Sequence, residues 1–331
     1  MYDINKIAVI GVRQTLEPAF PDEPLKPPTY PDADGTGKYV IYQNGDVKDT
    51  VLDTHQSQAN RIQPGFDKSG LIPDHVVKVG EDTVYLTTVG HRLADAVIRF
   101  SNQAATVEEV LNAVPKDYTP VAKLSPTALL FGMWDSRKTW VKIGRIFNSE
   151  IRAHNVIEVP AAGQYISSVP RPEGEVTKDL SAEGMLDCPY TGLGGVIVKG
   201  EITRAARLNL RGIRTLHGAN ADETEKLQQY VLGLGLFALT YPVNFDLRED
   251  CNLVATKTEA FTLAEDGTRS PITLTHTDAV AFANEAAKKF GVGPTLEFIY
   301  DPNAATRSAS GKAEVKETRE KTKKVGKAKA A

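Results

Sequence analysis

The sequence predicts an α+β fold, a sheet with helices on one face. Three observations predict it. Strand-like and helix-like segments alternate irregularly, long insertions separate them, and no repeat imposes the regular β-α period of a doubly wound sheet. The 331 residues exceed the usual single-domain size, and a 41% apolar content supplies a sizeable core.

The elements follow in chain order. Residues 6–14 alternate as a strand does. Residues 18–31 hold six prolines and read as an extended arm. A strand at residues 39–42 runs into Asn44-Gly45, a tight-turn signal. The polar run Asp53-Thr54-His55-Gln56-Ser57-Gln58-Ala59-Asn60-Arg61 has few β-branched residues and reads as helix. Residues 76–79 and 83–89 form a hairpin about Gly80-Glu81-Asp82. Leu93, Ala96, Val97 and Phe100 give residues 91–100 helical spacing. Residues 128–134 form a short buried element, and strands are expected at 156–166 and 194–199. Residues 167–187, rich in Pro, Gly and charge, read as a mobile insertion. The arginine-rich stretch 201–216 is taken as helix, and 222–239 is a clear one with Asn220 or Asp222 as cap. A strand at 253–263, a helix at 275–290 capped by Thr277 and a strand at 296–300 complete the set.

Residues 306–331 carry nine Lys/Arg against three Asp/Glu, a net +6 that leaves −9 on the rest of the −3 chain. A basic, disordered tail thus follows an acidic body at residues 1–305, and any polyanion must be met by local patches. The longest apolar stretch, 231–239, is too short for a membrane span, and the opening residues lack a signal peptide, so a cytoplasmic protein is expected. Cys188 and Cys251 make neither a disulfide framework nor a zinc site and read as two reduced thiols.

Several polar sets suit nucleic acid. On a helix, His55, Gln58 and Ile62 share one side, and Ser57 and Arg61 another. Gln56, Ser57, Gln58, Asn60 and Arg61 offer donors and acceptors for phosphate, ribose and base edges; a solvated helix face is the alternative. In His91-Arg92-x-x-Asp95-x-x-x-Arg99, one carboxylate is spaced to orient two guanidiniums as phosphate ligands, or simply to form an intrahelical ion pair. Trp134, Ser136, Arg137 and Lys138 place a stacking ring beside cations, though a core tryptophan at a strand end reads equally well. Arg145, Ser149, Glu150 and Arg152 form a further group, and Arg204, Arg207, Arg211 and Arg214 a cationic stripe if 201–216 is helical. Gly192-Leu193-Gly194-Gly195 lacks phosphate-loop spacing. No GxSxG, HExxH or tight carboxylate cluster is present, and no catalytic, metal-binding or cofactor residue is assigned. His55, His91 and Asp95 would make an acid–base site only if the fold joined them.

Taken in order, Ser57-Gln58-Ala59-Asn60-Arg61, His91-Arg92-x-x-Asp95-Ala96-x-x-Arg99, Pro126-Thr127-Ala128-Leu129-Leu130-Phe131-Gly132-x-Trp134-Asp135-Ser136, Ser149-Glu150-Ile151 and Leu247-Arg248-x-x-Cys251-x-Leu253-Val254 resemble the backbone subunit (Cas-seven type, RAMP superfamily) of type I-G, formerly I-U, CRISPR Cascade surveillance complexes. The resemblance spans about residues 27–254. Gln63 and Asn148 depart from it, standing where an acidic residue and an arginine are common, and the lysine tail lies outside the pattern. The resemblance implies an RRM-like (ferredoxin-like) palm whose insertions form a thumb and a web. It implies copies stacked head-to-tail on a CRISPR guide RNA, alongside other Cascade subunits, with target DNA recognised through the guide. It also implies no nuclease activity of the subunit's own. The different class to be weighed is an endoribonuclease processing precursor CRISPR RNA, with His55 or His91 as general base.

Overall fold

The computed structural model describes residues 3–31, 37–168, 180, 183 and 185–308. Its centre is an antiparallel sheet. The strands are β1 (Ile7–Pro18), β2 (Ile41–Asn44), β3 (Val47–Asp53), β4 (Phe147–Ala153), β5 (Ile202–Asn209), β6 (Asp246–Arg248), β7 (Cys251–Ala264) and β8 (Arg269–Ile272). They lie in the order β6-β7-β1-β5-β4-β3-β2, with β8 also on β7. With the helices that cover it, this sheet makes the fold α+β. Of the four strands β1, β4, β5 and β7, the first and third in sequence lie centrally, giving the order fourth, first, third, second. Helical segments fill the connections from β1 to β4 and from β5 to β7.

The strands form because apolar residues recur at every second position. In β5, Ile202, Arg204, Ala206 and Leu208 are buried while Ala205 and Arg207 are exposed. This alternation overrides the arginine spacing, so 201–216 is not the expected helix. It is a strand followed by one short helix, Leu210–Arg214, and the cationic stripe does not exist. Arg211 and Arg214 both grip Glu265, drawing its carboxyl down to about 2 through their hydrogen bonds.

Four helices bear on the argument: α1 (His55–Ile62), α2 (Pro126–Phe131), α3 (Ala221–Thr240) and α4 (His276–Phe290). Helix α3 starts where the Asn220 side chain accepts the Glu223 amide, with Asp222 and Glu223 in the favourable first turn. From Val231 to Leu239 it is buried throughout, against the sheet and α4. Tyr230 stacks on Phe290 at 4.6 Å and donates to the Leu71 carbonyl. Thr275, not Thr277, caps α4.

The segment 91–100 also departs from expectation. Residues Arg92–Ala94 form a 3-10 turn, Asp95 is extended, and only Ala96–Arg99 is α-helical. Asp95 accepts the His91 and Val97 amides, so the carboxylate caps the break and, among the described residues, orients no guanidinium. The proline-rich arm docks through Leu25, which exchanges backbone hydrogen bonds with Val196. A two-stranded ribbon, Val156–Tyr165 with Cys188–Val198, leaves the sheet between β4 and β5, exposed along most of its first strand. Most of the 167–187 insertion at its end lies outside the described residues. Residues 302–308 are helical, and the rest of the tail also lies outside them. Among the described residues no helix is long and apolar enough to cross a membrane.

Candidate nucleic-acid interface

Helix α1 begins at Thr54, whose hydroxyl accepts the Ser57 amide. One side of the helix is spent on the interior. Gln58 is fully buried; its amide donates to Asp53 at 2.6 Å and its carbonyl accepts from Ser149 at 2.8 Å and Arg204 at 2.9 Å. Arg204 also reaches Gln14 at 2.8 Å. Burial draws its guanidinium down to about 10, a loss the Asp53 charge opposes, so it stays protonated at neutral pH. Arg61 donates to Asp53 and to the carbonyls of Asp246 and Leu247. Arg248 lies 3.8 Å from the other Asp53 oxygen.

These groups form a polar belt across the sheet. On one side lies the apolar cluster of Ile10, Val12, Phe147 and Leu208; on the other, that of Leu16, Leu52, Ile151 and Ile202. Gln58 and Ser149 are therefore structural groups that fix α1 on β4, not surface ligands, and Arg61 is committed to the same network.

The other side of α1 meets solvent. Gln56 and Asn60 are exposed and hydrogen-bonded to each other at 3.0 Å; Ser57 is half-buried. Arg145 donates to the Gln56 carbonyl and to the Phe131 carbonyl ending α2. Partial burial lowers its pKa. His55 holds the Ser149 carbonyl with Nδ1 at 2.7 Å and places Nε2 3.7 Å from Glu150. Glu150 in turn accepts both Nε and Nη2 of Arg152, whose guanidinium lies 4.9 Å from the Tyr42 ring centre. Arg152, Glu150, His55, Gln56 and Arg145 thus form one continuous polar rim.

Arg92 is only 3% exposed, donating to Gln63 and to the Gly132 carbonyl with its guanidinium 5.5 Å from the Phe131 ring centre. Desolvation first, then Arg145, draws it down to about 10. Its expected phosphate contact is corrected to an internal brace under α2. Arg99 donates to the Ala94 carbonyl and lies over Phe100. His91 is exposed. Among the described residues no hydrogen bond or ion pair links the His55 ring to His91 or Asp95, so the acid–base grouping is not assembled here.

After α2 the chain turns at Gly132, whose φ is +76° and whose α-carbon is crowded by Ile143 O and Arg145 N. A side chain there would meet backbone at 3.1 Å, so glycine is needed twice over. A short hairpin follows, Met133–Trp134 with Lys142–Ile143. Asp135, 2% exposed, accepts the amides of Arg137, Lys138 and Thr139 and the Thr139 hydroxyl. Burial pushes its carboxyl up, but these hydrogen bonds win and hold it below its ordinary value. The turn thereby presents Trp134, Ser136, Arg137 and Lys138 outward; Lys138 pairs with Glu108 at 2.5 Å and Lys142 lies 5.7 Å from the Trp134 ring centre. Sequence reasoning passed over Tyr42, Gln14 and Trp140; for Trp140 alone there was a signal, a second tryptophan six residues after the first.

Burial pushes the Cys251 thiol up to about 11; the Cys188 side chain lies outside the described residues. Among the described residues no group of three or more His, Cys, Asp or Glu is placed to hold a metal ion. No curated protein matches the chain. Residues 10–158 match the model of a family described as CRISPR-associated protein GSU0053. That stretch carries the whole rim from Tyr42 to Arg152, and over it the chain is similar to CRISPR-associated proteins of that family.

Proposed function

We propose that the chain is a guide-RNA-binding backbone subunit of a type I-G CRISPR surveillance complex. In this reading it oligomerises head-to-tail along the RNA with further copies and other Cascade subunits, meets target DNA through the guide, and is not itself a nuclease. One observation carries the reading: the stretch similar to a CRISPR-associated family holds the exposed Gln56 and Asn60, the half-buried Arg145 and Arg152, and the exposed turn around Arg137. Amides and guanidiniums without a nucleophile suit sequence-independent contacts to phosphate and ribose. The order of the four central strands supports an RRM-like palm. The ribbon of Val156–Tyr165 and Cys188–Val198 supplies an outlying element of the kind a thumb requires.

The test is purification from the native operon followed by sequencing of co-purifying RNA. Repeat-derived guides of uniform length are expected. RNA cleavage that disappears in the double variant His55→Ala, His91→Ala would replace this reading by the endoribonuclease one. RNA binding lost completely on removing residues 306–331, with the fold intact, would move the site to the tail.

A further inference from the structure

The chain has two tryptophans, and both stand in solvent on one hairpin. Trp134 is 60% exposed and Trp140 71%. Indoles are ordinarily well buried, because few side chains gain more by leaving water. Trp140 also has a φ of +60°, a conformation that bulky residues avoid and that Asn or Gly would hold without strain. Among the described residues, neither indole packs on another aromatic ring or donates a hydrogen bond. The turn that carries them is nonetheless stiff, because Asp135 fastens three of its amides. Two costly exposures on a braced turn describe a preformed contact surface.

Its charge identifies the partner. Arg137, Lys138 and Lys142 stand exposed on the same hairpin, Lys142 5.7 Å from the Trp134 ring centre, while Asp135 is buried and turned to the backbone and Glu108 is taken by Lys138. Cations interleaved with aromatic faces fit a polyanion that offers flat rings. A duplex keeps its bases stacked inside, so unpaired bases are required. A symmetric contact of this patch with itself on a second copy would bring like charges together.

We propose that the hairpin Met133–Trp134/Lys142–Ile143 is a stacking platform for unpaired bases of single-stranded RNA, with Trp134 and Trp140 as its two faces. This rests on the RNA-binding reading and gives it a base-contacting part, separate from the backbone-gripping rim.

The test exploits the position of the indoles: all tryptophan emission of the full-length protein, stripped of RNA by high salt, comes from this hairpin. Single-stranded RNA of mixed sequence should quench and shift that emission as it binds. An abasic oligomer of equal length and charge should bind by anisotropy without quenching. Trp134→Ala and Trp140→Asn should each weaken single-stranded RNA binding by about fivefold to 150-fold and leave the abasic oligomer unaffected. Trp140→Asn should melt no lower than the parent, which separates lost stacking from lost fold. RNA binding with unchanged emission and unchanged affinity in both variants would overturn the platform and leave the RNA-binding reading standing. No RNA binding at all would overturn both. An emission shift that follows protein concentration alone, with no further change on adding RNA, would make the hairpin a subunit contact instead.

Discussion

Replacing Asp53 by Asn keeps the volume of the side chain and removes its charge. In the native protein that carboxylate is 1% exposed, accepts from Gln58 and Arg61, and stands against Arg248. It is also the charge that opposes the desolvation of Arg204, itself 2% exposed with one guanidinium nitrogen lacking a partner among the described residues. Taking one member from a buried ion pair costs about 3–5 kcal/mol, because the other charge stays in low dielectric. Against a total stability of about 5–15 kcal/mol this is severe, and at this chain length it corresponds to a melting temperature lower by about 4–7 °C. Urea unfolding followed by circular dichroism measures it, with an unchanged denaturant slope expected. Adding Arg204→Met to Asp53→Asn should then recover stability, with a coupling of about 1–3 kcal/mol. A loss under about 1 kcal/mol, or strict additivity of the two changes, would refute the account of the belt as a charge-balanced unit.

Three further outcomes are expected. Arg145→Ala and Arg137→Ala should each reduce the slope of log affinity for RNA against log salt by about one, whereas Arg61→Ala and Arg92→Ala should lower stability and leave the slope of the folded fraction unchanged; salt-series binding isotherms distinguish the two pairs. Asp135 has a folded pKa below its ordinary value, so its contribution is complete above the ordinary carboxylate range and is lost as pH falls through the folded pKa. Acid titration of tryptophan emission should therefore show a transition below the ordinary aspartate pKa that is absent in Asp135→Asn. Gly235→Ala would place a methyl 2.4 Å from the buried Leu208 side chain and should cost about 1–3 kcal/mol in thermal unfolding.

Local signals carried the sequence reading a long way. Alternation gave β1, the segment 253–263 was legible as the strand within β7, Asn220 or Asp222 marked the start of α3, and the Asn44-Gly45 pair gave the tight turn after β2, because each depends on near neighbours. The polar character of Gln56, Asn60, Arg145 and Arg152 was equally legible. What escaped was the direction in which polar side chains point. Gln58 is buried because Ser149, 91 positions away, supplies its partner; Arg61 is occupied because Leu247, 186 positions away, supplies another. A single sequence displays the polarity of such residues but not the distant groups that satisfy them. Arg204 was misread for a related reason: four arginines at helical spacing are conspicuous, while the strand alternation of Ile202, Ala206 and Leu208 beneath them is quiet.

The polar belt also has a bearing on how the chain rejects wrong pairings. A strand displaced by two residues keeps its apolar side inward, so an all-apolar sheet would barely distinguish the slipped form from the correct one. Here Gln14 lies opposite Arg204, Ile151 lies opposite both Arg204 and Asp53, and Ser149 opposite Ala206. Sliding β5 by two residues against β1 would push the Arg204 guanidinium into the hydrocarbon of Leu16 or Val12 and take it away from the Gln58 carbonyl and Gln14. The belt thus works as a proofreading mark written across four strands, admitting one alignment and penalising its near copies.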